Sequence, residues 1–310
     1  MLTRIFFATD VHGSEQCWRK FINAAEIYKA NIIILGGDIT GKAILPLIQR
    51  GGNYEGSFLG KELAYPAEKV EELEKMISSK GYYPYRTSPE EFEELKSDAK
   101  RRDELFIKLM TDTMRRWMKF ADDRLGKKDV KCFVCPGNDD MPEIDSIIRE
   151  SKCVINAEGR MLSIDDCHEM ISLGWTNPTP WNTFKECSEE ELCEKIERLA
   201  SQLKNTDNGV FNLHAPPYGC GIDEAPEIDK TLKLKSRVLV PVGSTAVRDA
   251  IQKYQPLVGL HGHIHEARGF VRIGKTWCFN AGSTYERGAL PSVLINMDEK
   301  EIKSYQPLMG

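Results

Sequence analysis

The chain of 310 residues is long enough to bury a sizeable core, as one large domain or two small ones. Its hydrophobic content of 41% and charged content of 29% are ordinary for a soluble globular protein, and no apolar run is long enough to span a bilayer. The formal net charge of -5 provides no basic field for nucleic acid or for an anionic membrane surface.

The start of the chain and its cysteines indicate the compartment. Met1 leads directly into a strand-like run, without the features of a signal peptide. The nine cysteines are odd in number and irregularly spaced, which argues against a disulfide framework. On a strand, Cys132 and Cys135 of "CFVCPG" would point to opposite faces, so we expect two core residues rather than a redox or zinc pair. We therefore predict a cytoplasmic protein without a membrane partner.

Five segments along the chain combine a short apolar run with a turn that carries polar side chains. They are "RIFFATDVHG", "NIIILGGDITG", "VKCFVCPGNDD", "NGVFNLHAPP" and "QPLVGLHGHIHE". Continuous apolar runs of this length predict strands buried on both faces, as in an α/β layered fold. Helical patterns lie between them, from Trp18 to Tyr28 and after the capping box of Ser188 with Glu191. Antiparallel hairpins are predicted in "RMLSIDDCHEMISLGW", in "FVRIGKTWCFNAG" and near the C-terminus.

Residues 51–128 interrupt this pattern and predict a mainly helical insertion within a single domain of residues 1–310. "GNYEGSFLGKEL" is typical of a hairpin, and three amphipathic segments follow it. The second of these begins with a capping box of Ser88 and Glu91. Two alternatives stay open: the insertion overhangs the functional site, or it is a packing element far from the chemistry.

Side chains that commonly bind metals follow all five predicted strands: Asp10, His12, Asp38, Asn138, Asp139, His214, His263 and His265. Any one of these turns alone is typical of an ordinary surface turn, so the prediction depends on their conjunction. In α/β sheets, ligands bind outside the carboxyl ends of the strands, where such loops converge. Carboxylates, imidazoles and an amide oxygen suit Mn, Fe, Zn, Co or Ni. Seven ligands are too many for one such ion and about right for two, which form a clamp for displacement at phosphorus.

The ordered motifs resemble those of the calcineurin-like metallophosphoesterase family. They stand here as Asp10-Val11-His12, Gly37-Asp38, Gly137-Asn138, His214 and Gly262-His263-Ile264-His265. The resemblance spans positions 10 to 265, apart from the insertion. It implies a two-sheet β-sandwich flanked by helices, with a site for two divalent metal ions at one edge.

The resemblance also implies a role for each of the seven side chains. Asp10, His12 and His265 would hold the first metal, Asp38 would bridge, and Asn138, His214 and His263 would hold the second. A metal-bridging water or hydroxide would then attack the phosphorus of a phosphoester. Two histidines are left over. We expect His261 to be a core residue or to orient a ligand imidazole, and His168 to be structural or exposed to solvent.

The chain departs from the family at Asp139, where many members have a histidine after the Gly-Asn pair. A carboxylate beside cations stays ionised, is a poor proton donor, and repels a doubly charged phosphomonoester. Asp139 is the candidate catalytic residue at this position, and the expected preference is for phosphodiesters, or for substrates with good leaving groups, over phosphomonoesters.

The substrate would be a small-molecule or nucleotide phosphoester. In "GWTNPTPWNTF", Trp175, Asn177 and Trp181 are candidate substrate contacts, and Tyr218 is a fourth on the loop after His214. The same loop is also typical of a rigid segment with apolar anchors. Two other functions stay open: a binding scaffold that has lost catalysis, and a nuclease of the same superfamily, which the acidic charge balance disfavours.

Overall fold

The computed structural model describes residues 2–228 and 234–310. The strands are β1 (Thr3–Ala8), β2 (Ile32–Leu35), β3 (Ile44–Arg50), β4 (Asn53–Phe58), β5 (Lys61–Pro66), β6 (Tyr83–Thr87), β7 (Lys131–Val134), β8 (Val154–Asn156), β9 (Arg160–Ser163), β10 (Glu169–Leu173), β11 (Gly209–Leu213), β12 (Glu224–Ile228), β13 (Leu234–Pro241), β14 (Val258–His261), β15 (Gly269–Ile273), β16 (Thr276–Asn280), β17 (Pro291–Met297) and β18 (Ile302–Met309). The α-helices are α1 (Glu15–Ile27), α2 (Val70–Ser78), α3 (Pro89–Ser97), α4 (Ala99–Leu125), α5 (Ile144–Glu150), α6 (Glu189–Ala200) and α7 (Thr245–Tyr254).

Two six-stranded mixed sheets form the body. The first has the order β18-β17-β1-β2-β7-β8, and the second has the order β15-β16-β14-β11-β10-β9. The central strands of each sheet run parallel, and the three predicted hairpins add antiparallel strands at the sheet margins. All five predicted apolar runs are strands of these sheets.

The sheets pack face to face and helices cover their outer faces, which confirms the predicted α/β sandwich. The core between the sheets is apolar and includes Phe7, Ile34 and Phe133 from the first sheet and Val210, Leu260 and Phe279 from the second. Helices α1, α4 and α5 pack on the outer face of the first sheet, and α6 and α7 pack on that of the second. Helices therefore flank a two-sheet sandwich on both sides.

Residues 51–128, the segment predicted as an insertion, contribute helices and three strands of a small sheet, whose fourth strand, β3, precedes residue 51. Strands β3 to β6 form a four-stranded sheet of order β5-β4-β3-β6, and the predicted hairpin is the antiparallel pair β4 and β5. Its apolar cluster includes Leu45, Leu47 and Leu73. Helix α4 belongs to the outer layer of the body instead, because Trp117 stacks on Trp18 of α1 with ring centroids 5.0 Å apart. The boundaries 51–128 stay a prediction.

The topology places the carboxyl ends of β1, β2 and β7 at one edge of the first sheet, since these strands are parallel neighbours. The parallel strands β11 and β14 bring the other two predicted turns together in the second sheet. Within the described residues, no helix is both long enough and apolar enough to cross a membrane.

Candidate metal centre

The five turns after β1, β2, β7, β11 and β14 converge on one buried site. Three overlapping groups of side chains there could hold a cation: Asp10 with His12 and His265, Asp38 with His214 and His263, and His12 with Asp38 and Asp139. Within each group, the candidate ligand atoms lie within 4.8 Å of one another. The first two groups contain six of the seven side chains that the family resemblance implied as ligands, and Asn138 is the seventh.

Asp38 lies between the first two groups. Its Oδ2 atom is 3.4 Å from Nε2 of His214 and 3.7 Å from Nε2 of His12. In the first group, Oδ1 of Asp10 is 3.3 Å from Nε2 of His265. One carboxylate oxygen of Asp38 is thus close to imidazoles of both groups, which is the geometry that a bridging ligand requires.

Hydrogen bonds orient both carboxylates so that one oxygen of each stays available. Oδ2 of Asp10 accepts from the Thr9 hydroxyl and from the backbone N–H of His263. Oδ1 of Asp38 accepts from the backbone N–H of Asp139 at 3.0 Å. The other oxygen of each carboxylate is the one that approaches the imidazoles.

The Asn138 side chain is oriented by a chain of two hydrogen bonds. Its Nδ2 atom is 2.7 Å from Oγ1 of Thr183, and that hydroxyl lies 2.6 Å from Oε1 of Glu186. Although burial by itself raises the pKa of Glu186, hydrogen bonds from Thr179 and Thr183 hold this pKa below its usual range, so the group stays an acceptor. The Thr183 hydroxyl must then donate to Glu186 and accept from Asn138, which leaves the amide oxygen of Asn138 for a cation.

Two further side chains support the ligand-bearing loops. Both oxygens of the buried Asp140 accept from backbone N–H groups of the loops after β2 and β7, including Ile39 and Gly137. His261 is fully buried, and its Nδ1 contacts the carbonyl oxygens of Leu213 and Ala215, the two neighbours of His214. His261 lies outside the ligand groups, as predicted. The role of Asp140 was missed, because an acid after "GND" is also typical of an exposed turn.

The backbone around the site is held in conformations that ordinary residues avoid. Asp10, His12, Asp38 and His263 all have positive φ angles, between 39° and 67°. Such strain in non-glycine residues persists only where surrounding structure enforces it, and it clusters at functional sites. The motif glycine Gly262 allows close approach, because a Cβ there would overlap Oδ2 of Asp10.

Atoms without hydrogen-bond partners indicate that these residues fit a cation. Oδ1 of Asp10, Oδ1 of Asn138 and Nε2 of His214 are buried and have no partner. An unsatisfied buried polar group costs about 1–3 kcal/mol, more if it is charged. The Nδ1 atom of His214 is 3.1 Å from the Gly36 carbonyl, so Nδ1–H donates there and Nε2 is the nitrogen whose lone pair would bind a cation once its proton is lost. Lone pairs from a carboxylate, an amide and an imidazole together suit a divalent ion.

The electrostatics of the site follow from burial and mutual proximity. Burial alone would raise the pKa of Asp10, but the imidazoles of His214 and His265 outweigh it and hold the pKa below its usual value. Burial lowers the pKa of His263 to about 4. The pKa of His214 rises to about 9, because the carboxylates of Asp38 and Asp10 outweigh burial. A cation bound at His214 would therefore displace a proton.

Asp139 contacts a cation that the sequence analysis did not single out. Its Oδ2 atom is 2.8 Å from Nζ of Lys42 and 3.9 Å from Nδ1 of His12. Burial and the neighbouring Asp38 raise the pKa of Asp139 to about 6. An isolated lysine after "GDITG" has no sequence signature of its own, which is why Lys42 was missed.

A cavity of about 1010 Å³ opens onto the ligand set. Asn177, Trp181 and Tyr218, three of the predicted substrate contacts, line it. Trp175, the fourth predicted contact, is not among the described residues that line the cavity, and its role stays a prediction. It packs on the core beneath α6, where the Lys195 ammonium lies 4.2 Å from the ring centroid. His168 is buried and bonded to Asp165, so its role is structural.

Comparisons with known proteins give a partial relative and a shared fold. No protein-family model matches the chain. An uncharacterized protein of Methanocaldococcus jannaschii, MJ1162, is 31% identical over 148 residues, which span 47% of this chain and 61% of that protein. The match thus covers less than two thirds of this curated relative.

Solved structures are similar over nearly the whole chain. One aligns with a TM-score of 0.57 at 14% identity, over 99% of this chain and 99% of the other. TT1561 of Thermus thermophilus aligns with a TM-score of 0.50 at 12% identity, over 96% of this chain and 100% of that chain. At these identities the likeness shows the fold alone.

Proposed function

We propose that the protein is a metal-dependent phosphoesterase of the calcineurin-like kind, with two divalent ions at the convergence of the five turns. One observation carries the proposal: candidate ligand atoms from separate strand ends meet within a few ångströms, and three of them, on Asp10, Asn138 and His214, are buried without hydrogen-bond partners. Asp10, His12 and His265 would hold one ion, and the second would be held by Asn138, His214 and His263. Asp38 would contact both.

The chain's own residues would prepare the site for the reaction. When bound, two divalent cations would polarise the phosphoryl oxygens and supply an attacking hydroxide near neutral pH. Thr183 would keep the Asn138 amide oxygen turned towards its ion. Lys42, whose Nζ is a hydrogen-bond donor on the cavity wall, would bind a phosphoryl or leaving-group oxygen.

The contact between Asp139 and Lys42 supports a preference for phosphodiesters. A carboxylate and an ammonium 2.8 Å apart have no net charge. The pair therefore offers no additional attraction for the second negative charge of a phosphomonoester. A singly charged phosphodiester has no second negative charge that needs such attraction, so it is the favoured substrate of this site.

Hydrolysis of p-nitrophenyl phosphate and of bis(p-nitrophenyl) phosphate, assayed side by side after loading with Mn²⁺, tests the proposal. We expect turnover that depends on the metal, a higher kcat/KM for the diester, and loss of activity in Asp38→Asn. Asp207→Asn is the matched control, because Asp207 is an exposed carboxylate with a side chain 66% accessible. Bound metal without turnover of either ester would favour the non-catalytic scaffold, and a strong preference for the monoester would refute the role given to Asp139.

A further inference from the structure

The cavity beside the ligand set has an apolar wall that the proposed chemistry does not use. Trp181 and Phe184 line it and are 61% and 56% exposed. Ten large hydrophobic side chains are exposed in the part of the chain that the structure describes, and Tyr218 is a third member of that set lining this cavity. Single exposed apolar residues are common on protein surfaces, but a group of them around one concave surface indicates a binding site.

Two segments form this wall. One is the loop after β10, which carries Trp181 and Phe184, and the other is the antiparallel pair of strands β12 and β13, which contributes Pro226, Val240 and Pro241. The Asn177 side chain joins them, because its Nδ2 is 3.3 Å from the carbonyl oxygen of Val242.

Hydrogen bonds hold the aromatic loop in one shape. Glu186 accepts from the backbone N–H and the hydroxyl of Thr179 and from the same two groups of Thr183. Both aromatic side chains lie within five residues of Glu186 in sequence. Because the loop is braced, they are presented to the cavity without the entropy cost of ordering a loose segment.

Positive charge lies at one end of the cavity. At the end that contains Asp38 and His263, Lys42 is the one lysine or arginine among the described lining residues, and it lies against Asp139. This end suits a single phosphoryl group of low charge. The remaining lining residues include the carboxylates of Glu227 and Glu266 as well as rings and prolines, and the rings and prolines suit flat or branched apolar groups.

We infer that the substrate is a phosphodiester in which at least one ester group is bulky and apolar, and that this group packs against Trp181 and Phe184. The inference rests on the proposed phosphoesterase function and specifies its substrate class. The same wall would accept an aromatic ring or an aliphatic chain, so the experiment includes both.

A series of p-nitrophenyl phosphodiesters tests the inference, because the leaving group stays constant while the second ester is methyl, octyl or 2-naphthylmethyl. For the Mn²⁺-loaded wild-type protein we expect kcat/KM to be about tenfold or more higher for a bulky ester than for the methyl ester, the range of one stacked ring. In Trp181→Ala and Phe184→Ala the ratio of bulky to methyl should fall below about threefold. Phe270→Ala is the matched control: Phe270 is 46% exposed on β15, outside the cavity-lining residues described.

Binding supplies a second readout without catalysis. Calorimetric titration compares the monomethyl esters of 2-naphthylmethylphosphonic and methylphosphonic acids. Both are singly charged, their variable group is held by a P–C bond that hydrolysis cannot break, and their one ester has methoxide as a poor leaving group. We expect the naphthyl compound to bind about tenfold more tightly to the wild-type protein, and Trp181→Ala to remove the difference.

The possible outcomes distinguish a failure of the apolar site from a failure of the proposed phosphoesterase function. Hydrolysis of all esters at equal kcat/KM would uphold the phosphoesterase and overturn the apolar site. Selective phosphonate binding without hydrolysis of any ester would uphold the apolar site and overturn the phosphoesterase. A preference for the octyl ester would assign an aliphatic chain, and a preference for the naphthylmethyl ester would assign an aromatic group.

Discussion

Replacing Thr183 by valine should weaken metal binding although Thr183 is not a proposed ligand. Valine keeps the shape of threonine but removes the hydroxyl that accepts from Nδ2 of Asn138 at 2.7 Å. Asn138 is 2% exposed, so its amide cannot exchange this partner for bulk water. The N–H would be left unsatisfied, or the amide would turn and withdraw its oxygen from the ion.

The structure sets the size of this effect. An unsatisfied buried donor costs about 1–3 kcal/mol, which corresponds to about 5- to 150-fold in an equilibrium constant. Residues that orient metal ligands typically contribute about 10- to 100-fold to affinity. We therefore expect the Kd for the second Mn²⁺ to rise about 10- to 100-fold in Thr183→Val.

Competition with a chromophoric chelator measures the affinity, and Thr179→Val is the matched control. The Thr179 hydroxyl also lies 2.6 Å from Oε1 of Glu186, and no hydrogen bond joins it to Asn138. Both variants lose one hydrogen bond to Glu186, so they should lose similar stability, and only Thr183→Val should lose metal affinity. Equal Mn²⁺ affinities in the two variants would refute the proposal that the hydrogen bonds from Asn138 through Thr183 to Glu186 orient the Asn138 amide.

Substitutions at three further positions, with controls, test the roles of Lys42, Asp165 and Gly262. Lys42→Met should lower kcat/KM for a phosphodiester about 10-fold or more while the metal content stays constant. Lys42→Arg, which keeps the positive charge, should retain part of this kcat/KM. Equal rates in the two variants would refute a role for the charge. Hydrogen bonds from His168 hold the pKa of Asp165 below its usual value, although burial by itself raises it. The ionised Asp165 carboxylate therefore stabilises the fold above about pH 4, and this contribution is lost as the pH falls further. In urea unfolding at pH 7, the free energy of unfolding of Asp165→Asn should therefore be about 2 kcal/mol lower than that of the wild-type protein, and this difference should shrink below about pH 4. A difference that does not change with pH would contradict the proposed direction of the pKa shift. Gly262→Ala should displace the Asp10 side chain and abolish one metal site. Gly52→Ala is the control and should bind metal normally, because no atom lies within 4 Å of the added Cβ. Equal metal content in the two variants would refute the steric argument.

The sequence was sufficient for the body of the fold because its strands are buried on both faces. Runs such as Ile32–Leu35 are apolar throughout, and a continuous apolar run bounded by glycine is typical of a strand in the interior of a sheet. The candidate ligands were found for the same reason, since each follows such a run directly. Parallel pairing then brought Asp10, Asp38 and Asn138 to one edge.

Features that depend on contacts distant in sequence were not predictable. Lys42 meets Asp139 across 97 positions of the printed sequence, and no local pattern links them. Strand β3 contains Pro46, which weakens any strand prediction, and it pairs with β6 beyond a helix. Trp175 and Trp181 share one loop, but only the folded chain separates the half-buried ring of Trp175 from the exposed ring that lines the cavity.

Electron paramagnetic resonance of the protein loaded with Mn²⁺ tests whether two ions share the site, because two ions bridged by one carboxylate are magnetically coupled. We expect about two Mn²⁺ per chain with a coupled spectrum, and a change to an uncoupled, mononuclear signal in Asp38→Asn. An uncoupled signal from the wild-type protein, or an unchanged spectrum in Asp38→Asn, would contradict this expectation.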